Sequence, residues 1–300
     1  MVSNPLIIIF LELDAIKYIW ENKEGIMMGQ TISMRVPVTE QDKLKSYYKY
    51  YDLEMTPAPK EKYDLVLKGA IDPSKALEFN DRNDLFKPGY LDTEIGYCIM
   101  EDGTGFLANL TQMPGVTTEM FDWWFAWHGL DNLRYTIWDP EDHYKAETMQ
   151  REHAMDKDLT YKERYWNTTH HVLEDTGMGP EGLFINFKYP GDLGFDMSKI
   201  GTEACSTIVC AKGYGEGHPP FAGAPTIMAH FLREVEGGVE LRSRFWMGWT
   251  IVNGKAVKAL PDGIRMPEVG PKSLLLHNIK EFTHLAKILP EVFAEEKDNF

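Results

Sequence analysis

Cysteine is scarce in this chain, with three residues in 300, Cys98, Cys205 and Cys210. That odd number builds no disulfide framework, and Cys205 and Cys210 have no second pair to complete a thiolate metal site. They read as small buried hydrophobes, and the chain as a reduced, cytoplasmic protein. Long apolar runs are also missing. The best, Leu6 to Leu11, is far below the roughly 20 residues that cross a bilayer. No Lys or Arg precedes it, and Glu12 and Asp14 close it, so it makes a poor signal peptide. We therefore expect no membrane partner. Basic tracts are absent too. Lys and Arg total 31 against 46 for Asp and Glu, a formal charge of −15 that repels phosphate backbones and argues against nucleic acid. No period of 20 to 50 residues recurs, which excludes solenoids and propellers. There is no Gly-x-Ser-x-Gly elbow, phosphate loop or dinucleotide fingerprint.

What is present is a globular chain, 43% hydrophobic and 26% charged. Residues 1–95, rich in Lys, Asp, Tyr and Pro, read as a small irregular N-terminal domain. It has one helix near Glu40 to Tyr51, whose tyrosines Tyr47, Tyr48, Tyr50 and Tyr51 pack against the main domain or a second subunit. From about residue 96 the pattern changes. Tyr97–Met100 and Gly105–Leu110 are strand-like around the turn Glu101-Asp102-Gly103. Thr117 or Thr118 then caps a helix running through Trp123, Trp124 and Trp127 to His128. Later β-branched segments are His170–Glu174, Leu183–Tyr189, Ser206–Ala211, Pro225–Val235 and Val239–Val252, with Gly237-Gly238 a hairpin signal. The glycine-rich stretch Gly213 to Gly217, followed by His218-Pro219-Pro220, reads as a mobile loop. After Pro271 the apolar residues Leu274, Leu275, Ile279, Phe282, Leu285 and Ile288 have helical spacing, closed by Pro290. The expected class is α+β: an antiparallel sheet over residues 96–300 cradling one long C-terminal helix, with a pocket between the layers.

Histidines and carboxylates carry the chemistry. His277 and Glu281 stand at i and i+4, close enough to share one ion. Such a pair usually lies on a solvated face, but its apolar neighbours point to a partly buried stripe where an ionised Glu needs a partner. Alternation places His170, Val172 and Glu174 on one strand face. His128 ends the aromatic helix, and His230 sits between Met228 and Leu232. Together these residues form a plausible zinc site with an acid–base partner. His143 and His153 lie in a charged stretch and read as solvated surface.

Phe121-Asp122-Trp123-Trp124-Phe125-Ala126-Trp127-His128, with Leu133-Arg134-Tyr135, His171-Val172-Leu173-Glu174-Asp175, Gly194-Phe195-Asp196-Met197, Arg242-Ser243-Arg244-Phe245-Trp246 and the helix of His277 and Glu281, resembles the 2,4-diacetylphloroglucinol hydrolase and phloretin hydrolase family. The resemblance implies a Zn2+-dependent hydrolase of the carbon–carbon bond between an acyl group and a phloroglucinol ring. It also implies a Bet v1-like helix-grip domain, a smaller N-terminal domain and a homodimer acting on a small aromatic ketone. Its metal ligands map onto His128, Glu174, His277 and Glu281, with Glu163 the rival of Glu174. Asp131, Asn132 and Tyr135 are candidates to hold ring hydroxyls, Asp131 and Tyr135 with catalytic roles. Trp123, Trp124 and Met228 are candidate pocket walls, and His230 the proton shuttle. The competing expectation is a non-catalytic carrier of aromatic or hydrophobic ligands in the same pocket.

Overall fold

The computed structural model describes residues 35–216 and 224–300. The run Leu6–Leu11 and the stretch Gly217-His218-Pro219-Pro220 lie outside the described residues. Residues 36–300 form one compact unit. Short helices α1 (Tyr48–Tyr51) and α2 (Lys60–Leu67) precede the hairpin β1 (Gly96–Ile99) and β2 (Gly105–Pro114). Helices α3 (Thr118–Trp127) and α4 (Asn132–Thr136) follow. Then come β3 (His143–Thr148), α5 (Arg151–Ala154), α6 (Tyr161–Tyr165), β4 (Thr169–Asp175), β5 (Pro180–Lys188), β6 (Thr207–Gly215), β7 (Thr226–Val235) and β8 (Gly238–Met247). A small pair, β9 (Trp249–Val252) and β10 (Lys255–Lys258), leads to α7, Val269–Glu296.

The eight longer-range strands form one antiparallel sheet in the order β1-β2-β8-β7-β6-β5-β4-β3. This is the α+β helix-grip arrangement expected from the sequence. One sheet face packs on α3 and α7 through Val172, Val209, Phe282, Leu285 and Leu289. The other is covered by the segment holding Leu77, Phe79, Leu85 and Phe86, which packs on Phe106, Ile208, Phe231 and Trp246. Thr117 does cap α3, accepting from the Met120 N–H. The β7–β8 hairpin turns at Gly237 (φ +82°). Gly238 is required next to it, because a Cβ there would stand 2.4 Å from the Met113 carbonyl oxygen of β2.

Four local expectations change. The helix expected over Glu40–Tyr51 is broken into a 3-10 turn, Asp42–Leu44, and α1. The segment Val239–Val252 divides at Gly248 (φ +92°), so β9 leaves the large sheet. Gly213, Tyr214 and Gly215 continue β6 instead of forming a loop. Pro290 does not end α7. Proline forfeits one hydrogen bond in a helix interior, but the helix beyond it keeps Val292 and Phe293 buried, the latter edge-on to Trp123 at 5.3 Å. Among the described residues no helix is long and apolar enough to cross a membrane. Cys98, Cys205 and Cys210 are free and buried.

Candidate metal centre and active site

Four side chains from three elements meet on the helix side of the sheet. Glu174 comes from β4, where His170, Val172 and Glu174 are the buried alternates, as the pattern predicts. His277 and Glu281 share one face of α7, both less than a tenth exposed. The fourth is His143, on the edge strand β3 directly opposite Glu174. Alternation along β3 should set 143 against the buried residues Ala146 and Thr148. A register shift between His143 and Lys145 inserts one extra residue and returns His143 to their face. His143 is therefore fully buried, which corrects its reading as a surface residue.

The ring nitrogens of His143 and His277 face each other, Nε2 to Nε2, at 3.2 Å. The Glu281 Oε2 lies 3.7 Å from the first and 3.9 Å from the second, and the Glu174 Oε2 4.0 Å from the first. His143 Nδ1 faces the Tyr135 carbonyl at 3.3 Å. A carbonyl only accepts, so this nitrogen carries the proton and Nε2 presents a lone pair to the cluster. Burial, with the charge of His277, pushes His143 well below its usual range and keeps it neutral. For His277 burial acts the same way, but the nearby Asp142 carboxylate and the charges of Glu281 and Glu174 outweigh it and lift the ring to about 10. Burial raises Glu281 to about 8, with Glu174 and Asp139 adding to it against His277 and Asn278. In the cation-free protein a proton thus sits among four donors.

Outer contacts aim these donors. Tyr135 stacks parallel on His143 at 4.0 Å and donates its hydroxyl to Glu174 Oε2. Asp142 Oδ2 stands 3.7 Å from His277 Nδ1 and is itself held by Lys280 at 2.6 Å. Lys280 also pairs with Asp139 at 3.0 Å and Glu141 at 2.9 Å.

Glu174 opens onto a cavity of about 380 Å³ between the sheet and the start of α7. Its walls are mostly apolar, including Met178, Met228, Phe245, Met247, Met266 and Leu274. His230 lies two residues beyond Met228 on the same face of β7, fully buried, with Nδ1 2.8 Å from Ser243 Oγ and its ring 5.7 Å from Phe245. Burial lowers it to about 3, so it is neutral with one N–H and one lone pair.

The sequence-predicted residues divide accordingly. Glu174, His277, Glu281 and Tyr135 converge, and Met228 lines the cavity. His128 does not join them. Its Nδ1 pairs with the Trp124 carbonyl at 2.8 Å, and its ring stacks on Trp124 and on Tyr135, each at 5.8 Å. Asp131 caps α4 and pairs with Lys45, and Asn132 is exposed with its Oδ1 facing the Ala146 N–H. Trp123 and Trp124 are fully buried among aromatic rings instead of lining the cavity. Glu163 is exposed and closes a capping box on α6. Sequence reasoning missed His143, Asp139, Asp142 and Lys280. The register that pairs His143 with Glu174 is the signal, and it requires knowing which strands are neighbours.

A sheet gripping a long helix, with a buried two-histidine, two-carboxylate cluster beside an apolar cavity, has the parts of a candidate enzyme active site. The family model of the DAPG hydrolase PhiG domain matches residues 77–294, and the chain belongs to that family of hydrolases. It is 44% identical over 274 residues to the phloretin hydrolase of Eubacterium ramulus, covering 90% of this chain and 97% of that one. It is 28% identical over 272 residues to a 2,4-diacetylphloroglucinol hydrolase of Pseudomonas sp, covering 84% and 88%. Among solved structures, Ara h 8.0201 aligns with a TM-score of 0.41 at 7% identity, covering 63% of this chain and 99% of that one.

Proposed function

We propose that this enzyme hydrolyses the carbon–carbon bond joining an acyl group to a phloroglucinol ring, and that His143, Glu174, His277 and Glu281 hold the Zn2+ it needs. The observation carrying this reading is the convergence of those four donors. Ligands at about 2.0–2.2 Å around one tetrahedral ion lie about 3.3–3.6 Å from each other. Four of the six donor separations, 3.2, 3.7, 3.9 and 4.0 Å, fall near that edge, and His143, Glu174 and His277 each offer an atom within 4.8 Å of the other two. His143 also turns its Nδ1 to an anchoring carbonyl, the arrangement usual for metal-bound histidine, and the Asp142 carboxylate lies 3.7 Å from His277 Nδ1. A zinc ion held there supplies Lewis acidity toward a carbonyl oxygen or water, moderated by its two carboxylates.

The chain's own groups account for the rest. An acylphloroglucinol protonated at its acyl-bearing carbon becomes a cyclohexadienone, in effect a β-diketone. Water then adds to the acyl carbonyl, the ring–acyl bond breaks with its electrons going to the ring enolate, and the products are the deacylated ring and a carboxylic acid. His230, neutral and two residues beyond the cavity-lining Met228 on the same face of β7, is the residue we assign to pass the proton to the ring carbon. The apolar walls, Met228 among them, hold the ring and exclude bulk water. Tyr135 fixes Glu174 by its hydroxyl, and this is the role we assign it. Asp131, Asn132, Trp123, Trp124 and His128 have no part in the reaction in this reading. We carry with it a homodimer in the cytoplasm, and a division near residue 95 into a small N-terminal part and the catalytic domain.

Turnover of phloretin and of 2,4-diacetylphloroglucinol, compared with ring O-methylated analogues and acetophenone, tests the proposal. The free-hydroxyl ketones should be cleaved and the others should not, because only a ring that can tautomerise has an oxygen to receive the departing charge. Comparable cleavage of acetophenone, or of an ester but no ketone, overturns it.

A further inference from the structure

Lys62 of α2 is the one lysine in the described residues that is less than a tenth exposed. Its Nζ donates to Asn109 Oδ1 at 3.0 Å and Thr111 Oγ1 at 3.1 Å, both on β2. Asn109 Nδ2 donates on to Asn278 Oδ1 at 2.9 Å, and Asn278 Nδ2 donates to Glu281 Oε1 at 3.0 Å. Asn109 and Asn278 are fully buried. Burial lowers Lys62 to about 8, which leaves the ammonium as the main form at neutral pH.

The direction of this chain follows from donor chemistry. An ammonium has no acceptor, so Asn109 must turn its carbonyl to Lys62 and its NH2 away. Asn278 must then accept from Asn109 and present its own NH2 to the carboxylate. Each amide would otherwise be free to flip. We infer that Lys62 is a positioning residue for the metal centre: through Asn109 and Asn278 it holds Glu281 by Oε1 and leaves Oε2 turned toward His143 and His277. This inference rests on Glu281 being a ligand, and it assigns the N-terminal part of the chain a role in the chemistry of the catalytic domain.

The test is Zn2+ affinity of the full chain by chelator competition, with the visible spectrum of the Co2+ form as a second readout. Lys62→Met should weaken Zn2+ binding about 10–100-fold, the scale for outer partners of a metal ligand, and should alter the Co2+ spectrum. Lys60→Met, exposed on the same helix, should change neither. Asn109→Asp separates positioning from mere support. It keeps the shape and strengthens the pairing with Lys62, but it can no longer donate to Asn278. It should retain or raise the melting temperature and still lose Zn2+ affinity. Wild-type affinity and an unchanged Co2+ spectrum in Asn109→Asp overturn the inference, even if Lys62→Met fails to fold. A wild-type chain that binds neither Zn2+ nor Co2+ overturns the metal reading itself, and this inference with it.

Discussion

Two clusters of buried charge lie on opposite faces of the same sheet. On the face covered by the N-terminal segment, Arg242 and Arg244 both grip Glu94, at 2.5 Å and 2.6 Å, with backbone carbonyls of Leu85 and Thr93 taking further guanidinium protons. Despite its burial the two arginines hold Glu94 down to about 2. On the helix face, two imidazoles and two carboxylates meet with no fixed cation among them: the positive charge is an exchangeable proton on His277, raised to about 10, beside Glu281, raised to about 8. The first cluster completes its own charge and fastens a segment to the sheet. The second is balanced only by exchangeable protons, which an entering metal ion can displace. Charged groups are buried in both, so burial of charge alone does not mark function; the lack of a fixed countercharge does.

The largest expected effect separates the clusters by metal. His143→Ala or His277→Ala should drop the metal content from about one ion per chain to near none and abolish turnover, while Glu94→Gln should leave both in place. Full metal content in His143→Ala would break the comparison. Next in size is His230→Ala, which should keep its metal and lose about 10²–10⁴ in rate, as for a general acid–base residue. Loss of metal in that variant would place His230 among the ligands.

Stability measures the other cluster. Glu94→Gln strands two buried guanidinium groups and should cost about 3 kcal/mol by denaturant unfolding. The pH dependence has a definite sign. The Glu94 pKa is depressed from 4.5 in the unfolded chain to about 2 in the fold. Its contribution is therefore complete above pH 4.5 and is lost as pH falls from there toward 2. Wild type should lose stability through that window more steeply than Glu94→Gln, and parallel curves would deny Glu94 its role.

How far the sequence discloses these features depends on how local their causes are. The caps, the hairpin at Gly237, the alternation of His170, Val172 and Glu174, and the i, i+4 pair on α7 all follow from chain-local chemistry, and the structure has each of them. His143 could not be found in that way. Its strand is edge and charged, and it reaches the interior through a register shift whose partner lies 31 positions away. The aromatic run at Phe121–His128 identifies the family well, because it is a distinctive packing unit, and for the same reason it draws attention to His128, which lies outside the cluster. Distinctive residues there are conspicuous for filling a core, in which Trp123, Trp124 and Trp127 touch one another. Asp131 and Asn132 are close to His128 in sequence only: Asp131 caps α4 and Asn132 accepts from the Ala146 N–H of β3.

The smallest effect expected is also the sharpest comparison of the two histidines. His128 is as buried as His143, but its lone structural bond is to a carbonyl, Trp124, that the helix already supplies with the His128 backbone N–H. His128→Phe keeps the ring that stacks at 5.8 Å on both Trp124 and Tyr135 and leaves no acceptor unpaired. The cost should be about 1 kcal/mol for one hydrogen bond, a fall of about 2–4 °C in melting temperature for a chain of this size. Metal content and turnover should stay at wild-type levels, since this ring's contacts are to Trp124, Phe125, Tyr135, Trp138 and His170 and not to the four donors. The measurement is metal analysis and a thermal melt on the same preparation. If His128→Phe releases the metal while the fold melts within a few degrees of wild type, His128 is a ligand and the four-donor set centred on His143 is wrong.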